Sequence, residues 1–79
     1  MTSRKEILEI LAGADAPMST REIAEISYSK DPRGCIGTRI GKVYQHLHKM
    51  YEEGIVDEEI RCFKAAANRI AYWSLRGAA

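Results

Sequence analysis

The sequence lacks the features that mark a membrane or secreted protein. It has no run of about eighteen consecutive apolar residues, which a membrane-spanning helix would need. The first residues, Met1 to Glu6, lack the apolar core of a signal peptide. These two absences predict a cytoplasmic protein without a membrane segment.

Cysteine and histidine are scarce, and their spacing is unsuited to a metal site. The two cysteines, Cys35 and Cys62, form no CxxC pair, so we expect reduced thiols. His46 and His48 lie two residues apart in a predicted helix and therefore point in different directions, whereas a metal site would require a spacing of three or four and further ligands. We expect no metal and no cofactor.

The sequence also lacks the patterns that accompany catalysis. We find no paired nucleophile and base, no glycine-rich phosphate loop and no cluster of metal ligands. With 79 residues, of which 46% are hydrophobic, the chain is long enough for one small domain spanning residues 1–79. We therefore expect a single folded domain that is not an enzyme.

The net charge is only +1, but the charges are unevenly distributed. Residues 30–50 carry five cations against Asp31, and residues 61–79 carry four cations and no carboxylate side chain. Between these blocks, residues 51–60 carry five carboxylates. Because the local field steers a polyanion, two basic blocks in a nearly neutral chain keep nucleic acid among the candidate partners.

Two capping boxes predict where the first two helices begin. Ser3 and Glu6 form one S-x-x-E pattern, and Ser19 and Glu22 form the other. The first helix is predicted over residues 3–13, ending at Gly13, since glycine tolerates the left-handed conformation, and the second over residues 20–27. An extended link at 16–18 separates them, and residues 28–34 are predicted to form a long turn.

A third helix is predicted over residues 35–53, followed by a left-handed Gly54. On a helical wheel, one arc is apolar and contains Ile36, Ile40, Val43, Tyr44, Leu47, Met50 and Tyr51. The other arc is cationic and polar and contains Thr38, Arg39, Lys42, Gln45, His46 and Lys49. Gly37 and Gly41 weaken the helix, so we expect close packing against the second helix or close approach of a partner to offset them.

Two strands are predicted after Gly54, over residues 55–62 and 69–75, with a turn between them. Alternation in the second strand predicts that Ala71, Trp73 and Leu75 face the core. We also place Tyr44 in the core. The predicted class is α+β, mainly α, with three helices and a C-terminal β-hairpin.

This order resembles the winged helix-turn-helix domain of small prokaryotic and archaeal transcriptional regulators. Residues 43–56 are similar to the V-x-x-H-L-x-x-L-x-x-x-G-L-V run of that family, and residues 19–24 match its T-x-x-E-I-A start of the second helix. Residues 72–75 resemble the Y-x-L end of its second wing strand. The long turn at 28–34 departs from the family pattern. The resemblance implies that the 16–18 link pairs as a small first strand.

The resemblance also implies a role in binding double-stranded DNA. The helix at about 36–53 would enter the major groove, and the wing at 61–70 would lie on the flanking groove. Base contacts are expected from Arg39, Lys42 and Gln45, and phosphate contacts from Thr38 and Lys49. Flanking backbone contacts are expected from Lys30 and Arg33, and wing contacts from Lys64, Asn68 and Arg69. A homodimer that reads a palindromic site is a further hypothesis.

The sequence is compatible with more than one function. The leading hypothesis is a sequence-specific regulator, either a repressor or a mobile-element control protein. The alternative is a winged-helix module that binds a protein through the same surface and does not bind DNA. A third hypothesis is a redox sensor that uses Cys35, because a helix N-terminus lowers the pKa of a thiol.

Overall fold

The computed structural model describes the backbone of residues 3–63 and 68–76 and the side chains of residues 3–61 and 69–76. Within these residues the chain forms three helices and a three-stranded antiparallel sheet. The elements follow in the order α1 (Arg4–Ala12), β1 (Met18–Ser19), α2 (Thr20–Lys30), α3 (Ile36–Glu52), β2 (Val56–Phe63) and β3 (Asn68–Leu75). The predicted α+β, mainly helical class is confirmed.

The first two helices begin where the capping residues predict. The Ser3 side chain accepts a hydrogen bond from the Glu6 amide at 3.3 Å. At α2 the box is complete, because Ser19 and Glu22 each accept a bond from the other's amide at 3.1 Å. Gly13 ends α1 as predicted, but it does not adopt the left-handed conformation that glycine allows. Its φ is −88°, and its amide donates to Glu9 O, so α1 ends without a positive φ.

Helix α2 is longer than predicted, and the turn after it is correspondingly shorter. The helix continues through residues 28–30, and the Asp31 amide still donates to Ser27 O. Pro32 stops it, because the residue before a proline avoids the helical region, and Asp31 has φ −146° and ψ 82°. The predicted turn at 28–34 is therefore wrong at its beginning, and the connection to α3 covers only residues 31–35.

The end of α3 matches the prediction. Gly54 has φ +80°, and the Ile55 amide donates back to Met50 O at 2.9 Å. This left-handed residue turns the chain directly into β2.

The central strand of the sheet is β3, with β1 on one side and β2 on the other. Strands β2 and β3 pair along their full lengths, from Val56 opposite Leu75 to Phe63 opposite Asn68. Strand β1 pairs with only two residues of β3, Trp73 and Tyr72. The link at 16–18 therefore contributes only Met18 to a strand, and Ser19 completes it.

The core lies between the three helices and one face of the sheet, and Trp73 is its largest member at 1% exposure. Ala71 and Leu75 pack against this core from the same strand, as predicted. The buried apolar residues are Ile7, Ile10, Leu11, Ile23, Ala24, Val43, Leu47, Met50, Val56 and Trp73. The core placement of Tyr44 is wrong. Its ring is 47% exposed and meets the edge of Trp73 at a centroid distance of 6.2 Å.

No helix among the described residues is long and apolar enough to cross a bilayer.

Candidate nucleic-acid interface

The outward side of α3 is polar and cationic along most of its length. Thr38, Lys42, Gln45 and Lys49 are all exposed, as predicted. Helix α3 contains no carboxylate before Glu52, in its last turn. A surface of this kind offers hydrogen-bond donors and positive charge without nearby repulsion of phosphate.

The outward placement of Arg39 is wrong. This residue is 6% exposed and belongs to the buried side of α3. Its guanidinium donates from Nη1 to Ser27 O at 3.0 Å and to Ser27 Oγ at 2.9 Å, and from Nη2 to Arg33 O at 3.0 Å. The cation also lies over the Tyr28 ring, with Cζ 5.6 Å from its centroid. These contacts remove Arg39 from the surface that a partner can reach.

The short loop between α2 and α3 carries further cations. Lys30 and Arg33 are both exposed. Arg33 Nε donates to Asp31 Oδ1 at 2.7 Å, and this hydrogen bond is the largest cause that holds the pKa of Asp31 well below its usual range. The charge of Arg33 is thus partly offset by Asp31, whereas Lys30 makes no ion pair within the described residues.

The glycines of α3 do not pack against α2, so the packing expected for them is wrong. A Cβ at Gly41 would meet no atom within 4 Å, and one at Gly37 would meet only Cys35 Sγ at 3.6 Å. Both glycines are exposed. The helix-weakening effect of these residues is therefore not offset by contacts within the fold.

A cavity of about 240 Å³ lies where the loop meets the first turn of α3. Its lining residues are Asp31, Arg33, Gly34, Cys35, Thr38, Arg39 and Lys42. Cys35 is the N-cap of α3 and is exposed. The backbone amides of Thr38 and Gly37 lower the pKa of its thiol.

The β2–β3 hairpin, which the resemblance identifies as the wing, contributes one described cation to this side of the molecule. Arg69 on β3 is exposed, whereas Lys64 and the side chain of Asn68 lie outside the described residues. Arg69 lines a groove of about 520 Å³ between the start of α2, the middle of α3 and the wing. The same groove contains exposed apolar surface, since Ile60 is 51% exposed and Tyr44 is half-exposed.

Two exposed residues of α3 were not predicted as part of the site. Tyr44 and His48 lie one turn apart, with ring centroids 6.1 Å apart, next to the polar residues of the outward side. His48 Nδ1 lies 3.4 Å from Glu52. The period of the helix alone could not identify them, because Tyr44 sits at the boundary between the buried and exposed arcs.

The acidic block at 51–60 is largely paired with cations. Glu53 accepts from Arg4 at 2.8 Å, Asp57 accepts from Arg76 at 2.8 Å, and Glu59 accepts from Arg61 at 2.7 Å. These pairs are exposed at the surface, so each contributes little to stability. Their effect is to reduce the negative potential close to the end of α3.

No group of three His, Cys, Asp or Glu side chains converges anywhere in the part of the chain that the structure describes.

Comparison with known proteins identifies no family for this chain. No protein-family model matches the sequence, and no curated protein matches it either. The resemblance to winged helix-turn-helix regulators therefore rests on the sequence motifs, and the observed elements are compatible with it.

Proposed function

We propose that this chain is a winged helix-turn-helix transcriptional regulator that binds double-stranded DNA in a sequence-specific manner. The observation that carries the proposal is the outward side of α3, where Thr38, Lys42, Gln45 and Lys49 are all exposed. The order of elements, with a hairpin after the third helix, is compatible with that fold.

In this proposal the outward side of α3 enters the major groove. Lys42 and Gln45 read base edges, because lysine donates to guanine and glutamine can bond adenine on two atoms. Thr38 and Lys49 contact phosphates, which position the protein without reading sequence. Lys30, Arg33 and Arg69 contact the flanking backbone from the loop and the wing. Arg39 has no direct contact with DNA, since its guanidinium is buried and donates three hydrogen bonds within the protein.

The exposed glycines of α3 support the assignment of DNA binding to this side of the helix. With no side chain at Gly37 and Gly41, and open space above Gly41, a partner can approach the helix backbone closely there. Helical glycine lowers stability relative to alanine by up to about 1 kcal/mol. A binding role supplies a reason for glycine at positions where the fold itself favours alanine.

Selection from a random-sequence duplex library tests the proposal. Wild type is expected to enrich one motif at both low and physiological salt. Lys42→Ala is expected to lose affinity and to relax the base preference at the position that Lys42 reads. Lys49→Ala is expected to lower the salt slope of binding by about one phosphate contact. Lys5→Ala is the matched control, because Lys5 is an exposed lysine on α1, outside the proposed face. Absence of any enriched motif for wild type would refute the proposal.

A second candidate function is the binding of a protein partner without DNA. The groove between α3 and the wing favours it, because Ile60 and Tyr44 expose apolar surface there. Isolated apolar residues at a surface are common, but two in one groove are also found at protein interfaces. If no duplex is enriched, affinity capture with wild type and with Ile60→Glu would test this candidate. A partner held by wild type and lost by the variant would support it.

A further inference from the structure

We propose that Arg39 is the positioning residue of the recognition surface: it fastens the first turn of α3 to the end of α2 and to the 31–35 loop. The inference rests on the proposed function, because the surface it positions is the face assigned to DNA. It replaces the base contact that the sequence predicts for this arginine with an internal role.

The guanidinium joins three parts of the chain. It extends from the first turns of α3, bonds the carbonyl and hydroxyl of Ser27 near the end of α2, and bonds the carbonyl of Arg33 in the loop. The Ser27 hydroxyl in turn donates to the Glu6 carboxylate on α1. Arg39 is thus connected to all three helices through buried or half-buried polar groups.

The electrostatics of this position suit a cation. The last carbonyls of a helix carry partial negative charge, and the guanidinium lies at that end of α2. Arg39 makes no ion pair with a carboxylate among the described residues, so carbonyls, the Ser27 hydroxyl and the Tyr28 ring compensate its charge. A lysine could retain the charge but not the fork that bonds Ser27 and Arg33 together.

The start of α3 has few local means of holding itself in place. Its N-cap, Cys35, makes no side-chain capping hydrogen bond, and its second residue is Gly37. The loop before it contains Gly34 with φ +75°. Because capping and backbone stiffness are both weak here, the bonds from Arg39 become the main polar link between the first turn and the body of the protein.

Arg39 also contributes to fixing which side of α3 faces outward, together with the buried Val43 and Leu47. Its neighbour Thr38 and the residue three positions on, Lys42, are exposed on the adjacent arc. With the Arg39 side chain fixed beneath the loop, α3 cannot rotate about its axis without breaking the bonds to Ser27 and Arg33. The orientation of Thr38 and Lys42 at the start of α3 therefore depends on this internal anchor as well as on the apolar core.

Amide hydrogen exchange on the free protein tests the anchor without DNA. The reporter amides are Asp31, bonded to Ser27 O, and residue 39, bonded to Cys35 O, and the reference amides are Val43 and Leu47 in the core part of α3. In Arg39→Met and Arg39→Lys, after correction for intrinsic rates, the reporters should exchange at least about tenfold faster relative to the reference amides. Proportional acceleration of both groups would mean general destabilisation and would overturn the proposal.

Ser27→Ala provides a milder variant if the Arg39 variants do not fold. It removes the hydroxyl bonds to Arg39 and Glu6 but keeps the carbonyl bond. Its reporter amides should exchange faster than those of wild type by a smaller factor than in Arg39→Lys. Unchanged reporter exchange in this variant would also count against the proposal.

Duplex binding distinguishes an internal anchor from a DNA contact. Arg39→Met should bind duplex more weakly than wild type with an unchanged salt slope, whereas Lys49→Met, which removes an expected phosphate contact, should lower the slope by about one. A slope for Arg39→Met lowered like that of Lys49→Met would identify Arg39 as a phosphate contact and overturn the proposal. If wild type binds no duplex, the proposed function fails, and the exchange measurement still decides whether Arg39 holds the loop.

Discussion

The indole Nε1 of Trp73 donates a hydrogen bond to Thr20 Oγ1 over 2.8 Å. This bond joins the central strand β3 to the first residue of α2, and it satisfies the single polar atom of the largest buried side chain. Removing the hydroxyl would leave a buried N–H without an acceptor, which is more unfavourable than the loss of an exposed hydrogen bond.

Thr20→Val is therefore expected to lower the free energy of unfolding by about 1–3 kcal/mol. Valine keeps the shape of threonine and removes only the hydroxyl. Chemical denaturation followed by fluorescence measures the change, and Trp73 is the only tryptophan of the chain. Thr20→Ser retains the hydroxyl and is the control, so a similar loss in both variants would contradict the role of the hydrogen bond.

Gly54→Ala is expected to destabilise the protein by about 1–2 kcal/mol, because a left-handed backbone is unfavourable for any residue with a Cβ. Gly54 has φ +80°, and an added Cβ would lie 3.2 Å from Arg76 Nη1. The thermal unfolding midpoint would fall accordingly. The double variant Gly54→Ala/Arg76→Ala separates backbone strain from the contact with Arg76. Its stability should exceed that of Gly54→Ala only if the contact is the larger cause.

Gly41→Ala is expected to raise the stability of the protein and to weaken its binding to duplex DNA. The added methyl group meets no atom within 4 Å, so helix propensity should raise the free energy of unfolding by up to about 1 kcal/mol. If the outward side of α3 lies against DNA, the same methyl group should weaken duplex binding. Denaturation and duplex titration on one protein sample measure both effects. A more stable variant with unchanged affinity would remove Gly41 from the proposed interface.

The ion pair between Arg4 and Glu53 predicts a pH dependence of stability. The hydrogen bond from Arg4 lowers the pKa of Glu53 in the folded protein. A lowered folded pKa means that the stabilisation is present above the unfolded pKa of a glutamate and is lost as the pH falls through the folded value. Both groups are exposed, so the effect should be small. Between about pH 6 and about pH 3, Glu53→Gln should lose less stability than wild type. Equal losses would show that the pair does not contribute.

Cys35 is expected to react with an alkylating reagent at a lower pH than an ordinary thiol. The amides of Thr38 and Gly37 lower the pKa of its thiol, and it is exposed at the start of α3. The rate of iodoacetamide modification, followed against pH by mass spectrometry, should reach half its maximum at a lower pH in the folded protein than in an unfolded reference. A peptide of residues 33–38 provides the unfolded reference. The same midpoint in peptide and protein would refute this effect of the fold.

The sequence predicts the fold well wherever the signal is local. Capping residues place the starts of α1 and α2, and Gly54 marks the end of α3, because these features depend on neighbours within a few positions. The turn predicted at residues 28–30 is wrong because tertiary contacts outweigh the local signal. Polar residues there resemble a turn, but Ser27 is buried and bonded to α1 and α3, and these tertiary contacts favour continuation of the helix.

The candidate site was predicted less completely. Thr38, Lys42, Gln45 and Lys49 are exposed as predicted, because they lie far from the apolar arc. Arg39 and Tyr44 lie near the two edges of that arc, where helical period alone cannot separate buried from exposed positions. Arg39 is drawn inward by carbonyls of another element, and Tyr44 is left outside because Trp73 already fills the core beside it.

By itself the sequence determined the three helices, the C-terminal hairpin, their order and the α+β class, whereas the short first strand was implied only by the family resemblance. These properties follow from local capping, turn residues and the alternation of apolar side chains, all of which act over a few residues along the chain. Only the tertiary structure decided that Arg39 is buried beneath the loop, that the glycines of α3 face open space and that Ile60 remains exposed. These outcomes depend on which distant groups meet in space, such as Ser27 and Arg33 around the Arg39 guanidinium. The periodicity of a single helix cannot predict such contacts.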